Sequence, residues 1–281
     1  MRWFVALSLA LSALLAVARA QVPAAAPATG APAPETGGYT FPAVREQLDG
    51  GVIDWTTWKL EASAKSDRSV GAWKDRRVQE QDALDRLAPR ILGLAPRVRI
   101  TPDAQAGDLL NKEDDLAARL REGLGAWKVV ETRYVASGSV EMDATLDLQE
   151  WLRPALVSLA SPSSPPAAAG ANTGILVDVR GLGFKPCMLP RLQGEQGQVI
   201  FDASSVSVDT IRKAPPVVYV PDPADPRAMG RAGERPLFAR GLKASAEGEI
   251  ILEAADVSTF GSNPDFKALG AAGKLVIVVD P

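Results

Sequence analysis

The stretch Val140-Glu141-Met142-Asp143-Ala144-Thr145-Leu146-Asp147-Leu148 puts an apolar side chain at every second position. Val140, Met142, Ala144, Leu146 and Leu148 point one way, and Glu141, Asp143, Thr145 and Asp147 the other. A period of two is the signature of a strand with one face packed and one face wet. Upstream, Trp127 to Val135 is a second strand-like run, and Ala136-Ser137-Gly138-Ser139 between the two supplies the turn chemistry of a hairpin. A sheet that is wet on one face packs helices on the other, so the neighbouring segments are read for them.

Working outward, Val52-Ile53-Asp54-Trp55-Thr56-Thr57-Trp58-Lys59-Leu60-Glu61-Ala62-Ser63-Ala64 reads as a strand from its β-branched and aromatic content. Asp67 or Ser69 is placed to cap a helix whose apolar positions Trp73, Ala83, Leu84, Leu87 and Ile91 keep helical spacing. Pro89 is expected to shorten or kink that helix and Gly93 to end it. Val98-Arg99-Ile100 is a short strand, Asp114 to Leu124 a second helix, and Trp151 to Leu159 a third. The order β-α-β-α-β-β describes a compact α+β module over residues 39–160.

Residues 161–172, Ser-Pro-Ser-Ser-Pro-Pro-Ala-Ala-Ala-Gly-Ala-Asn, read as a Pro/Ala-rich linker. Aromatic usage changes across it. From residue 21 onward every Trp (Trp55, Trp58, Trp73, Trp127, Trp151) precedes it, whereas Phe184, Phe201, Phe238, Phe260 and Phe266 follow it. That partition suits two cores, although one core crossed by a Pro-rich excursion would show it too. Residues 173–281 form the second, β-rich α+β module. Its strands are Gly174 to Arg180, Val199 to Phe201, Val217 to Val220, a hairpin around Ala246-Glu247-Gly248-Glu249, and Lys274 to Val279, with one helical turn within Asp222 to Met229.

Residues 1–20 combine Arg2, an apolar run from Trp3 to Val17 and Ala18-Arg19-Ala20, the three parts of a secretory signal peptide, and cleavage is expected after Ala20. Residues 21–38 are almost all Ala, Pro, Gly and Thr, a leader with too few large apolar groups to order itself. Of 31 basic residues, removal of Arg2 and Arg19 leaves 29 against 34 acidic, a net charge of −5. Export and that balance argue against a nucleic-acid partner, and no apolar run after the signal is long enough to span a membrane. No Cys follows the signal to carry a lipid.

The chain has no His and one Cys, Cys187. Imidazole-based triads, His/Cys zinc sites and intramolecular disulfides are thereby excluded, and Cys187, set in Phe184-Lys185-Pro186-Cys187-Met188-Leu189, reads as a buried thiol. No cofactor or metal is expected. Gly181-Leu182-Gly183 begins like a dinucleotide fingerprint but meets Pro186 where the third glycine belongs, and reads as a tight turn. Asp178, an acid on an apolar strand, is the one carboxylate that stands out. It is either half of a hydrolytic pair with Asp202, Glu141 or Asp143, or a partner of Arg180. Arg227, Arg231, Arg235, Arg240 and Lys243 make 227–243 a basic segment with Glu234 its only acid, a candidate binding surface.

The 52–64 stretch, the charged helix with Arg76-Arg77 and Asp82-Ala83-Leu84-Asp85-Arg86-Leu87, and the later Arg133-Tyr134-Val135-Ala136-Ser137-Gly138-Ser139-Val140-Glu141-Met142 resemble the twenty-kilodalton outer-membrane lipoprotein family and the N-terminal domain of flagellar assembly protein T. The chain departs from them in lacking the lipid-bearing Cys and in placing Asp75 and Gln79 where small residues are usual. The resemblance implies a non-enzymatic bacterial envelope protein of α+β fold that assembles with other proteins; with the signal peptide, the expectation is a periplasmic protein peripheral to the outer membrane that contacts envelope proteins or itself. The competing expectation is a carboxylate-dependent envelope or polysaccharide hydrolase centred on Asp178.

Overall fold

The computed structural model describes residues 40–67, 75–136, 138–162, 170–245 and 247–281. The signal and leader expected over 1–38, Trp73, Ser69 and the middle of the 161–172 linker lie outside the described residues. The fold class is α+β, built on two large sheets and one two-stranded sheet.

The first module comprises β1 (Arg45–Leu48), β2 (Gly51–Asp54), β3 (Lys59–Lys65), α1 (Arg76–Leu94), β4 (Arg99–Thr101), β5 (Ala104–Gln105), α2 (Ala106–Leu110), α3 (Asp115–Gly123), β6 (Lys128–Tyr134), β7 (Val140–Asp147) and α4 (Leu148–Leu159). Its antiparallel sheet has the order β1-β2-β3-β7-β6. The alternation in β7 is realised as expected: Val140, Met142, Ala144 and Leu146 are buried. The opposite face carries cross-strand ion pairs, Lys65–Glu141 at 2.8 Å and Arg133 against Asp143, so the acidic stripe is a solvated, charge-balanced face. On the packed face α1 lies across β3 and β7 through Ala83, Leu87, Ile91 and Leu94.

Local chemistry moves three of the expected boundaries. The 52–64 run is two antiparallel strands and not one, because the Asp54 carboxylate accepts the N–H groups of Thr56 (2.8 Å) and Thr57 (2.9 Å) and folds the chain back. Trp58 completes that turn in the left-handed region, φ 57°, a conformation a large side chain keeps only where its surroundings over-determine it. The first helix is capped by Asp75, which accepts from Val78, and not by Asp67. It runs through Pro89 and past Gly93 to Leu94. Leu148 opens α4 behind its cap Asp147 and does not end the strand.

The second module comprises β8 (Gly174–Asp178), β9 (Arg191–Gly194), β10 (Val199–Phe201), α5 (Val208–Lys213), β11 (Val217–Val220), α6 (Pro226–Ala232), β12 (Pro236–Ala244), β13 (Glu249–Leu252), α7 (Ala254–Ser262), α8 (Phe266–Ala271) and β14 (Leu275–Val278). Its sheet has the order β10-β9-β13-β12-β8-β14-β11, and β12, β8, β14 and β11 run parallel. The apolar runs at 174 and 275 belong to its centre, where a parallel strand is buried on both faces. Parallel neighbours need crossovers, and α5, α7 and α8, which the Gly/Pro-rich sequence hid, lie in those connections.

The described ends of the 161–172 segment are tied to this module. The N–H groups of Gly170 and Asn172 donate to the Asp265 carboxylate at 2.6 and 3.2 Å, and the Ser161 N–H donates to the Val206 carbonyl at 2.8 Å.

The two modules share one buried cluster, running from Val44 to Val279. Trp55 and Trp58 of the first meet Tyr219 of β11 with ring centroids 6.0 and 6.1 Å apart, and Phe184 closes on the same ring at 6.1 Å. Backbone bonds cross the joint as well, from the N–H of Met188 to Arg99 O (3.0 Å) and of Leu189 to Ile100 O (2.8 Å). Arg99 adds two bonds to the Pro186 carbonyl, at 3.1 and 3.0 Å, and an ion pair with Glu46. The aromatic partition therefore marks two large sheets that share one main core, with a smaller cluster of the second module under α6.

A shared core has a measurable consequence. In urea, tryptophan fluorescence, which reports the first module, and exposure of Cys187 in the second should give coincident midpoints. Tyr219→Phe should lower both together by about 1–3 kcal/mol, since it strips partners from buried backbone groups of Cys187. Two separated transitions would exclude the shared core.

Candidate functional site

Asp178 ends β8, and its carboxylate is closed by its neighbour. It accepts from Arg180 Nε at 3.0 and 3.2 Å, from Nη2 at 2.7 Å and from the Arg180 N–H at 3.1 Å. Its side chain is 14% exposed, against 39% for Arg180, which also reaches Asp222 at 3.6 Å. The Arg180 hydrogen bond holds the Asp178 carboxyl below the usual carboxylate range against the opposing effect of burial. The supposed partners are engaged elsewhere: Asp202 accepts from Ser204 N (2.9 Å), Glu141 pairs with Lys65, and Asp143 with Arg133. An acid kept ionised and bidentately held is poorly suited to donate a proton. Gly181 and Gly183, at φ 77° and 68°, form the tight turn that follows, and the Gly181 N–H donates to Asp280 at 2.9 Å.

Cys187 is fully buried beneath Tyr219. Burial pushes its thiol up to about 12, far from the thiolate that reactivity requires. A concavity of about 470 Å³ opens in the first module and is lined by Lys59, Lys128, Thr145, Asp147, Glu150 and Trp151. Asp147 there is spent on the cap of α4, accepting from Glu150 N at 2.8 Å, and Trp151 Nε1 donates to Leu120 O at 2.9 Å. Among the described residues no three acidic or thiol groups gather where a metal could sit.

The basic segment divides into two kinds of residue. Arg227 is structural. It grips the buried Asp225, the cap of α6, through Nε at 2.9 and 3.1 Å, and reaches the Pro42 carbonyl at 3.3 Å. Arg231, one turn on, is largely buried. It donates to the Pro215 carbonyl while its Nε finds no partner, and desolvation lowers its pKa. Arg235, Arg240 and Lys243 are exposed, and none of the three side chains forms an ion pair among the described residues. The segment expected to act as one surface thus keeps three of its five cations for solvent.

Two large apolar side chains of the same segment are exposed as well. Phe238 is 57% exposed and Met229 on α6 is 64% exposed. Register places Phe238 opposite Leu176 and Arg240 opposite Asp178, on the outer face of the second sheet. A bulge after Gly241 returns Lys243 to that face, opposite Ile251, and Ile251 lies opposite Gln193, which pairs with Val199. Over β8, β14 and β11 this face is covered by α6, whose Ala228 and Ala232 pack on Leu176, Val220, Val276 and Val278. Gly174 allows that approach, since a Cβ there would come 2.3 Å from the Ala232 Cα. α7 meets β9 and β10, and its Phe260 belongs to the core cluster; the outer side of β13 and β9 carries the Arg191–Glu249 pair at 2.9 Å, joined by Asp103 of the first module, and Val199 on β10 is 50% exposed. The signal in the sequence was alternation within Leu237-Phe238-Ala239-Arg240, where an aromatic takes a solvent-side position.

Two outcomes test this description. Asp178 and Asp225 have folded-state pKa values below the ordinary carboxylate value of about 3.9, so their contribution is full above that pH and lost as pH falls through the lower folded values. Asp178→Asn should cost about 1 kcal/mol at pH 7, allowing for solvent screening at Arg180, and progressively less as pH falls through the folded-state value; a cost that stays constant down to acid unfolding would contradict the ion pair. Native protein at pH 8 should leave Cys187 unlabelled by maleimide, with full labelling in 6 M guanidinium.

Residues 174–281 match the family model described as Treponema pallidum Tp0624, second domain. The matched span coincides with the second module from β8 to the end of the chain and leaves the first outside. Comparison with curated proteins gives no match. The second module is therefore similar to a domain of a bacterial protein, and the likeness of the first module to the lipoprotein and flagellar families receives no support from these comparisons.

Proposed function

We propose that the chain is a non-enzymatic, exported module of the bacterial envelope that works by holding other proteins. The observation that carries it is the outer sheet face beyond α6, where Phe238 on β12 is more than half exposed two residues from Arg240, with Lys243 on the same face. Apolar area of that kind, rimmed by uncommitted charge, is the usual make-up of a contact surface. The signal-like residues 1–20 support a periplasmic address, and the resemblance of the first module to outer-membrane and flagellar assembly domains supports an assembly role. The held state of Asp178 weighs against hydrolysis.

In-cell chemical cross-linking of the full chain, followed by identification of the adducts, tests this reading. Adducts with envelope proteins are expected, together with loss of envelope integrity on deletion. Recovery as an isolated monomer with an unaltered envelope would refute it, and so would turnover of peptidoglycan or glycans abolished by Asp178→Asn.

A further inference from the structure

Among the described residues β6 is the last strand of its sheet, paired on one side with β7 and open on the other. Sheet edges are usually short or covered, because their unpaired N–H and C=O groups recruit other strands. β1, at the opposite edge, follows that rule: it has four residues, and the Gln47 side chain donates to the carbonyls of Leu48 and Gly51 beside it. β6 has seven residues, six of them exposed, with Val130 at 59% and Tyr134 at 54%. Which of its peptide groups are open follows from the hairpin. The Val135 N–H donates to Ser139 O at 2.9 Å, so Val135 faces β7. By the alternation of an antiparallel pair Arg133 and Glu131 face β7 too, and the N–H and C=O groups of Thr132 and Tyr134 point out from the edge. The bulge in this strand lies before that stretch, between Val129 and Glu131.

We propose that β6 pairs antiparallel with β6 of a second copy of the chain, two-fold about Thr132, so that the two first-module sheets continue into one another. This contact is separate from the protein-holding surface of the second module and does not rest on it. Two-fold symmetry leaves few registers to choose from. An axis at Glu131 or at Arg133 sets like charges face to face, and one at Tyr134 leaves only the end of the strand to pair. With the axis at Thr132, the outward N–H and C=O of Thr132 bond those of the same residue in the second copy. Glu131 then stands opposite Arg133 of the second copy and Arg133 opposite its Glu131, while the bulged Val130 lies toward its Tyr134. Opposite charges, paired threonines and an aromatic beside a β-branched group are the favourable kinds of cross-strand pair. Within one copy Arg133 bridges Glu131 at 2.8 Å and also meets Asp143, so the guanidinium is already held over the edge where the second Glu131 arrives. An unrelated strand has no cause to match β6 at each of these positions, whereas β6 matches itself.

Sedimentation velocity of the full chain over about a hundredfold range of concentration should show the dimer fraction rising with concentration. Thr132→Pro removes an N–H that β7 does not use, and Glu131→Arg sets like charges across the joint. Each should weaken dimerisation at least tenfold and leave the circular dichroism spectrum unchanged, since proline is tolerated where the N–H of an edge strand faces solvent. An equimolar mixture of the Glu131→Arg and Arg133→Glu variants should recover the dimer, because opposite charges again face each other. Thr132→Cys gives a measure that depends on neither charge. At the axis its two Cα atoms lie about 5.5 Å apart, within disulfide reach, and Cys187 is buried and does not compete. Oxidation with copper–phenanthroline should therefore link Thr132→Cys chains in pairs and leave Val129→Cys chains mostly single. A chain that stays monomeric across the range overturns the proposal, as does a dimer indifferent to both Thr132→Pro and Glu131→Arg, or equal cross-linking from positions 129 and 132. In cells, a photo-cross-linker at position 132 should capture a second copy of the chain; capture of a different protein alone would overturn the self-pairing and leave the protein-holding function standing.

Discussion

Tyr219 carries a phenol into a place from which water is excluded, and a hydroxyl there needs partners within the protein. It finds both on one residue: it donates to the Cys187 carbonyl at 2.7 Å and accepts from the Cys187 N–H at 3.2 Å. Around the ring stand Trp55, Trp58 and Phe184, drawn from both sides of the linker. Much of the architecture follows from satisfying this group. The segment around Cys187 must lie over β11, which brings Met188 and Leu189 alongside β4 and Arg99 onto Pro186. The turn at Asp54 must deliver two indoles to the ring, and the left-handed backbone of Trp58 fits that demand. Cys187 becomes inert as a consequence, its thiol sealed beneath the joint.

The joint also explains why the surface chemistry is distributed as it is. One face of each sheet is committed to the shared core, so contact with other molecules falls to the outer faces. In the first module that face is a lattice of opposed charges, with Lys65, Arg133, Glu141 and Asp143 neutralising one another. In the second it is covered by α6 over β8, β14 and β11, while over β13 and β9 it carries the Arg191–Glu249 pair joined by Asp103, with Phe238 and Val199 exposed on the strands to either side. Two arginines of the basic segment, Arg227 and Arg231, serve to seat α6. The remaining cations are free to meet something else.

Much of the fold was legible in the sequence. The 140–148 alternation yielded β7 with its faces correctly assigned, and the apolar runs at 174, 217 and 275 yielded three strands, because burial on one face or on both imposes its own pattern on the side chains; that the three run parallel came from the structure. Other parts left weaker traces. The split of 52–64 depended on one carboxylate turning back to two amides, a local bond that composition does not advertise. α5, α7 and α8 are six to nine residues long, shorter than the window over which helical periodicity shows. At the candidate site, the ion pair of Asp178 with Arg180 was readable from a two-residue spacing. The division of the arginines into seated and free was not.

By itself the sequence determined the class of the fold, the position of the two sheets, the signal-like start and the absence of imidazole and disulfide chemistry, since these follow from local pattern and residue count. Tertiary structure decided that the two sheets close on one core, that the linker's ends are fastened to the second module, and that Phe238 reaches solvent beside Arg240 and Lys243. Those facts concern which residues far apart in the chain become neighbours. They arise from strand order, from the β12 bulge and from where a short helix ends, and side-chain periodicity reports which face a residue takes without reporting what lies against that face.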